Sequence, residues 1–103
     1  MNKKDIKELD KLERWLRKNS DRFGYWVIRD DCDPEHTRVN KHQITVMDRD
    51  GNYLWDAICH YGSYGYENGL LEIAGNLVPG GDVEGWLTAE DIIRKIEEKD
   101  GKA

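Results

Sequence analysis

Apolar residues first recur at helical spacing. In "DIKELDKLERWLRKN", Ile6, Leu9, Leu12 and Leu16 form one stripe, with Trp15 beside it and charge on the remaining faces. That is the period of an amphipathic helix packed on one side. Lys and Arg gather toward its C-terminal end, where the helix dipole favours cations. The pattern then changes. "FGYWVIRD" (23–30) is aromatic and β-branched and reads as a strand. "DCDPEHTRVN" is polar, contains Pro34 and reads as a loop.

"KHQITVMDRDGNYLWDAICH" holds two strand-like runs around "DRDGN". Asp50-Gly51 supplies the left-handed conformation of a tight turn, a type I turn with a glycine bulge. If Asp48 pairs with Asn52, His42, Ile44, Val46, Leu54, Asp56, Ile58 and His60 share one face. Thr45, Met47, Tyr53, Trp55, Ala57 and Cys59 then share the other. Both faces of the second run are apolar, which predicts a central strand. Leu70, Ile73, Ala74 and Leu77 make a second helical stripe, and "NLVPGGDVEG" reads as a turn-rich loop. "TAEDIIRKIEEK" predicts a third helix, with Thr88 as N-cap, Asp91 at the capping-box position, and Ile92, Ile93 and Ile96 toward the core. The last residues should fray.

The fold expected is therefore α+β, a three-stranded antiparallel sheet packed with about three helices in the order α-β-β-β-α-α. It forms a single domain over 1–103, with an amphipathic helix in 1–20, the sheet in 23–60 and two C-terminal helices in 66–99. A chain of 103 residues has room for one core. Four Trp and five Tyr offset a charged fraction of 36% by raising the burial available to each apolar position.

Charge is unevenly spread. The first 22 residues carry eight Lys/Arg against five Asp/Glu, and the remainder eight against sixteen, for a net charge of −5. An acidic body does not invite DNA, whose phosphates need clustered cations. It suits a partner with a basic surface. The chain has no run long enough for a membrane span and no apolar signal region at its N-terminus. With two cysteines and no secretory context, the expectation is a cytoplasmic protein with reduced thiols.

The stretch that asks for a chemical explanation is "WDAICHYGSYGYENGLLEIAG" (55–75), which is far too aromatic for a plain connector. Gly62, Gly65 and Gly69 allow positive φ and close backbone approach. Tyr61, Tyr64 and Tyr66 offer rings for stacking and hydroxyls for hydrogen bonds. A glycine-rich turn leading into a helix N-terminus suits an anion, and so a nucleotide-like ligand. The stretch is neither a dinucleotide fingerprint nor a P-loop, and it lacks a P-loop lysine. The competing reading is a structural corner. The candidate ligand- or partner-binding residues are Trp55, Asp56, His60, Tyr61, Gly62, Ser63, Tyr64, Gly65, Tyr66 and Glu67.

Asp56, His60 and Ser63 also compose a Ser/His/Asp set, but a triad is a matter of geometry and the sequence lacks a nucleophile elbow. Catalysis is not expected. Cys32, His36, His42, Cys59 and His60 are zinc-ligand types without zinc spacing, and Cys59 and His60 point to opposite faces of a strand. "DRDGN" opens like a calcium loop but places Tyr53 where glycine is required. No metal and no cofactor is expected.

The segments "HQITVMDRDGNYLWDAICHYGSYGYENGLLEIAG" and "VEGWLTAEDIIRKI", spanning His42 to Ile96, resemble small uncharacterised proteins of phages and prophages of Gram-positive bacteria. The resemblance carries no catalytic residues. It implies a setting in which small acidic proteins act by binding, as inhibitors or counter-defence factors in the host cytoplasm. The function expected is a non-enzymatic accessory protein that neutralises a host factor. That factor is either a host protein, such as a nucleic-acid-handling defence enzyme met by the acidic, Trp-bearing surface, or a nucleotide signal held at the Gly/Tyr loop 61–69. The alternatives are a homo-oligomeric assembly module and a small enzyme using Asp56, His60 and Ser63.

Overall fold

A computed structural model describes residues 6–32 and 40–100. The chain runs through α1 (Lys7–Lys18), the single turn α2 (Ser20–Phe23), β1 (Tyr25–Cys32), β2 (Lys41–Asp48), β3 (Tyr53–Ile58), β4 (Leu71–Gly75), β5 (Val83–Leu87) and α3 (Ala89–Asp100). Short 3-10 turns lie at Tyr66–Asn68 and Pro79–Gly81. The strands form one antiparallel sheet in chain order, with β3 in the middle.

The α+β class holds, but the sheet has five strands, not three, and the order α-β-β-β-α-α is overturned. The stripe Leu70, Ile73, Ala74, Leu77 is not a helix. Leu71 and Ile73 are buried while Glu72 and Ala74 turn away, which is strand alternation. Gly69 (φ 72°) and Gly75 (φ 102°) confine the run to a length too short for a stable helix. The free edge of β3 supplies the ladder partners instead. "VEG" (83–85), read as the end of a loop, opens β5. Its glycine and a register shift opposite β4 hid the alternation.

The hairpin register also differs by one residue. Asp48 does pair with Asn52, its backbone N–H donating to the Asn52 carbonyl at 2.9 Å, and Gly51 (φ 86°) closes the turn. A further bulge then inserts Leu54, so that Met47 pairs with Tyr53 and Val46 with Trp55. One extra residue exchanges the faces of everything that follows it. Ile44 thus lies opposite Ala57, and Trp55, Ala57 and Cys59 join His42, Ile44 and Val46 on the inner face.

Both long helices cover that inner face. α1 lies over β1 and β2, and α3 lies against α1 and β5. Leu9, Leu12 and Leu16 of α1 and Ile92 and Ile96 of α3 meet Trp55, Ile44, Val46, Leu71 and Ile73 in one core. A capping box starts α3: the Thr88 N–H donates to the Asp91 carboxylate at 3.0 Å, and the Asp91 N–H to the Thr88 hydroxyl at 3.1 Å. A polar clamp ties α1 to the sheet. The Arg29 guanidinium donates to Asp10 at 3.0 Å and Glu13 at 2.7 Å on the helix and pairs with Asp31 at 3.0 Å. Asp31 accepts from Nδ1 of the buried His42 at 2.7 Å. Burial alone would raise the Asp31 pKa, but His42 and Arg29 hold it below the ordinary carboxylate value.

The two β-turn glycines separate conformational strain from steric clash. A Cβ on Gly51 meets nothing within 4 Å, whereas one on Gly75 would lie 2.6 Å from the Leu54 carbonyl oxygen and the Trp55 Cα. Gly51→Ala should cost about 1–2 kcal/mol for its left-handed backbone. Gly75→Ala should cost clearly more, because the backbone of β3 must move. Urea unfolding of the two variants checks the order.

Candidate functional site

Between β3 and β4 the chain folds back over the outer side of the sheet, which no helix of the described residues covers, and two side chains and one backbone N–H from strands or their ends hold it there. Before β2, the Asn40 Oδ1 accepts from the Tyr61 N–H at 2.8 Å, while its amide donates to the Tyr66 hydroxyl at 3.1 Å. From β4, the Glu72 carboxylate accepts from the Tyr64 N–H at 2.8 Å. At β5, the Trp86 N–H reaches the Tyr64 carbonyl at 3.4 Å. Gly65 is required: its φ is 95°, and a Cβ there would lie 2.9 Å from the Leu70 Cβ and 3.1 Å from Trp86 backbone atoms. Gly85 is required for a different reason, because a Cβ would lie 2.3 Å from the Cβ of Tyr64.

These constraints bring four aromatic rings together. Tyr64 stacks on Trp86 at 5.1 Å between centroids with planes 21° apart, and Tyr61 meets Tyr66 edge to face at 6.1 Å. The four rings, with Gly62, Ser63, Gly65, Glu67 and Asn68, line an open cavity of about 380 Å³. Tyr61, Tyr64 and Trp86 remain about half exposed, at 50%, 51% and 58%. Trp86 holds φ 56°, a conformation that costs a bulky residue free energy and that tends to occur at functional sites. Trp86 is not among the candidate residues read from the sequence, which missed its part in this cavity. Its signal was Gly85, since a glycine inside a strand marks a bulge or a close approach.

The cavity's charge runs against an anionic ligand. Its described lining contains no Lys or Arg, and its one ionisable acid is the exposed Glu67. The Gly/Tyr loop leads through a single 3-10 turn into β4 rather than into a helix. The dipole end on which the nucleotide expectation rested is therefore absent.

The other predicted site residues fall elsewhere. Trp55 is fully buried in the core, away from any partner. Asp56 lies on the outer face, where it accepts from the Tyr53 hydroxyl and from Gln43 at 2.9 Å. Burial and this carboxylate raise the Tyr53 pKa, so its phenol remains a donor. Ser63 is spent on the backbone of its own turn: its hydroxyl donates to the His60 carbonyl at 2.7 Å and accepts from the His60 N–H at 3.1 Å. His60 has a buried Nδ1 with no hydrogen-bond partner. Asp56, His60 and Ser63 are thus near in sequence without the relay of hydrogen bonds that a catalytic triad uses. Cys59 is buried and Cys32 exposed, and no set of three ligating side chains able to hold a metal occurs among the described residues. His36, among the zinc-type candidates, lies outside the described residues.

The outer face itself is the second feature. Trp26 and Ile28 of β1, Tyr53 of β3 and Val83 of β5 are 46–51% exposed on it. Register places Met47 and Thr45 of β2, Ile58 of β3 and Ala74 of β4 between them. Among the described residues its acids are Asp30, Asp56 and Glu72, and its one lysine, Lys41, is paired with Asp30 at 2.7 Å. Among the described residues no helix is long and apolar enough to cross a membrane.

Fold and site together define a one-sided α+β sheet protein with an aromatic cavity at one margin of its open face. Comparison with protein-family models, with curated proteins and with solved structures finds no match.

Two outcomes test this description. Gly85→Ala should push Tyr64 off Trp86, visible as shifted ring resonances of both, at a cost of about 1–3 kcal/mol. Burial is the main cause that lowers the His60 pKa, so the folded state takes up a proton there less readily than the unfolded chain. Its contribution is complete above the ordinary histidine value of about 6.5 and is lost as pH falls below it. Chemical denaturation as a function of pH should show stability declining on acidification, and His60→Gln should flatten the part of that decline nearest neutrality.

Proposed function

We propose that this chain is a non-enzymatic binding protein that occupies the basic surface of another protein through the open face of its sheet. The observation that carries the reading is that face. Monomeric soluble proteins keep contiguous apolar patches small, and extended ones mark interaction sites. Here Trp26, Ile28, Tyr53 and Val83 stand half exposed on a face that no helix of the described residues covers. Aromatic residues of this kind act as binding anchors. The carboxylates among them select a cationic partner and speed its encounter. Proteins that handle nucleic acids present such basic surfaces, which fits an inhibitor that blocks one. The phage-type setting and the role in countering a host defence rest on the sequence resemblance alone. Of the two modes of neutralisation, protein blocking is supported by the open face. The nucleotide mode has lost its helix N-terminus and has no cation to hold a phosphate.

Assembly with copies of the same chain is the second reading, because the same exposed face could also be covered by itself. Photo-crosslinking residues placed singly at Ile28, on the open face, and at Arg94, on the exposed side of α3, separate the two in bacterial cells. The proposal expects adducts with a different protein from position 28 and none from position 94, weakening as salt is raised in extracts. Ile28→Arg, at an exposed site with little effect on folding, should remove the partner, which would then be met by like charge. Adducts of twice the chain mass would favour assembly. Adducts from position 94 alone would reject the open face.

A further inference from the structure

The aromatic cavity at the margin of the open face has a chemistry of its own, and the geometry points to its guest: the guanidinium group of an arginine side chain presented by the protein partner. This deepens the reading above by naming the partner's anchor. It depends on that reading only for the source of the arginine.

Three observations converge on this guest. The cavity is lined by four aromatic residues and one acidic residue, with no cation among the described lining residues. Ring faces carry negative potential and attract a cation set above them, most often arginine. The exposed acid Glu67 lines the same cavity, and a carboxylate accepts the planar fork of a guanidinium through two donors. A phosphate or carboxylate guest would meet repulsion from Glu67 and no compensating donor charge.

The ring geometry then selects among cations. Tyr64 and Trp86 lie nearly parallel, 21° apart, and stack on each other. Each therefore has one ring face occupied by its neighbour, and what remains is a flat, half-exposed platform. A planar guanidinium stacks on such a platform and is weakly hydrated, so it leaves water at low cost. A quaternary ammonium is spherical and is best held where rings enclose it on several sides; this open cavity does not do that. A lysine ammonium is compact and strongly hydrated, which makes it the poorer guest. The platform is also built with care. Trp86 adopts φ 56° within β5 and Gly85 leaves room for Tyr64, so the stack exists at a backbone cost of the kind that collects at functional sites.

The test uses the intact protein and small probes, without the partner. Nα-acetyl-L-arginine amide is titrated against its neutral isostere, Nα-acetyl-L-citrulline amide, and against choline, while the Trp86 indole and tyrosine ring resonances are followed by NMR. The arginine probe should shift the Trp86 and Tyr64 signals saturably. It should bind about five-fold or more tightly than the citrulline probe, the scale of one exposed cation–π contact with a carboxylate nearby. Glu67→Gln, an exposed change that leaves the fold intact, should shrink that ratio, and Trp86→Ala should remove the response. Equal binding of the arginine and citrulline probes would show a stacking site blind to charge and overturn the proposal. So would choline binding tighter than arginine, or no saturable shift at Trp86. Failure here leaves crosslinking from Ile28 untouched, and failure of that crosslinking leaves an arginine-selective cavity standing, so the two readings fall separately.

Discussion

The position of the Trp55 side chain governs the rest of this molecule. It is the largest fully buried side chain, and it sits on the middle strand within the cluster formed by Leu9, Leu12, Leu16, Ile92 and Ile96. The extra residue Leu54 puts it there, because without that bulge Trp55 would turn to the opposite face of β3. Once Trp55 points inward, Ala57 and Cys59 follow, and both long helices must cover that side to bury them. The outer side is left with Asp56, Ile58 and Tyr53 and no helix.

One-sided cover has an electrostatic counterpart. On the inner margin, Arg29 pairs with Asp10, Glu13 and Asp31, so these acids are engaged by the clamp between α1 and the sheet. On the outer face, Lys41 is the one lysine among the described residues, and it is already paired with Asp30. The charge left over faces solvent among half-exposed aromatics. It is this surface that the proposed basic partner would meet.

The loop after β3 is tied to this surface by hydrogen bonds. Asn40, Glu72 and Trp86 hold its backbone from strands or strand ends far apart in sequence. Ser63 looks like chemistry in a linear reading, yet it is a turn residue that satisfies the His60 backbone. Tyr61, Tyr64 and Tyr66 look like a loop motif. Their meaning depends on Trp86, about twenty residues on, which provides the platform.

Local physics made several features readable in the chain itself. The α1 stripe, the β2–β3 turn at Asp50-Gly51, the capping box of α3 and the centrality of β3 each depend on residues close in sequence. The concentration of aromatic and glycine residues in 61–69 was visible for the same reason. Other features required partners that the sequence does not name. Leu70–Leu77 satisfied a helical period, and only the free ladder of β3 made Leu71–Gly75 a strand. The bulge at Leu54 changed the faces of a correctly located hairpin, since its placement answers to which side chains the helices can cover. Trp86 became part of the site because Gly85 lets Tyr64 approach, a contact between distant segments. Periodicity and turn chemistry are encoded over a few residues. Strand partners, faces and cavities are set by which surfaces can be buried together, and that was decided in three dimensions.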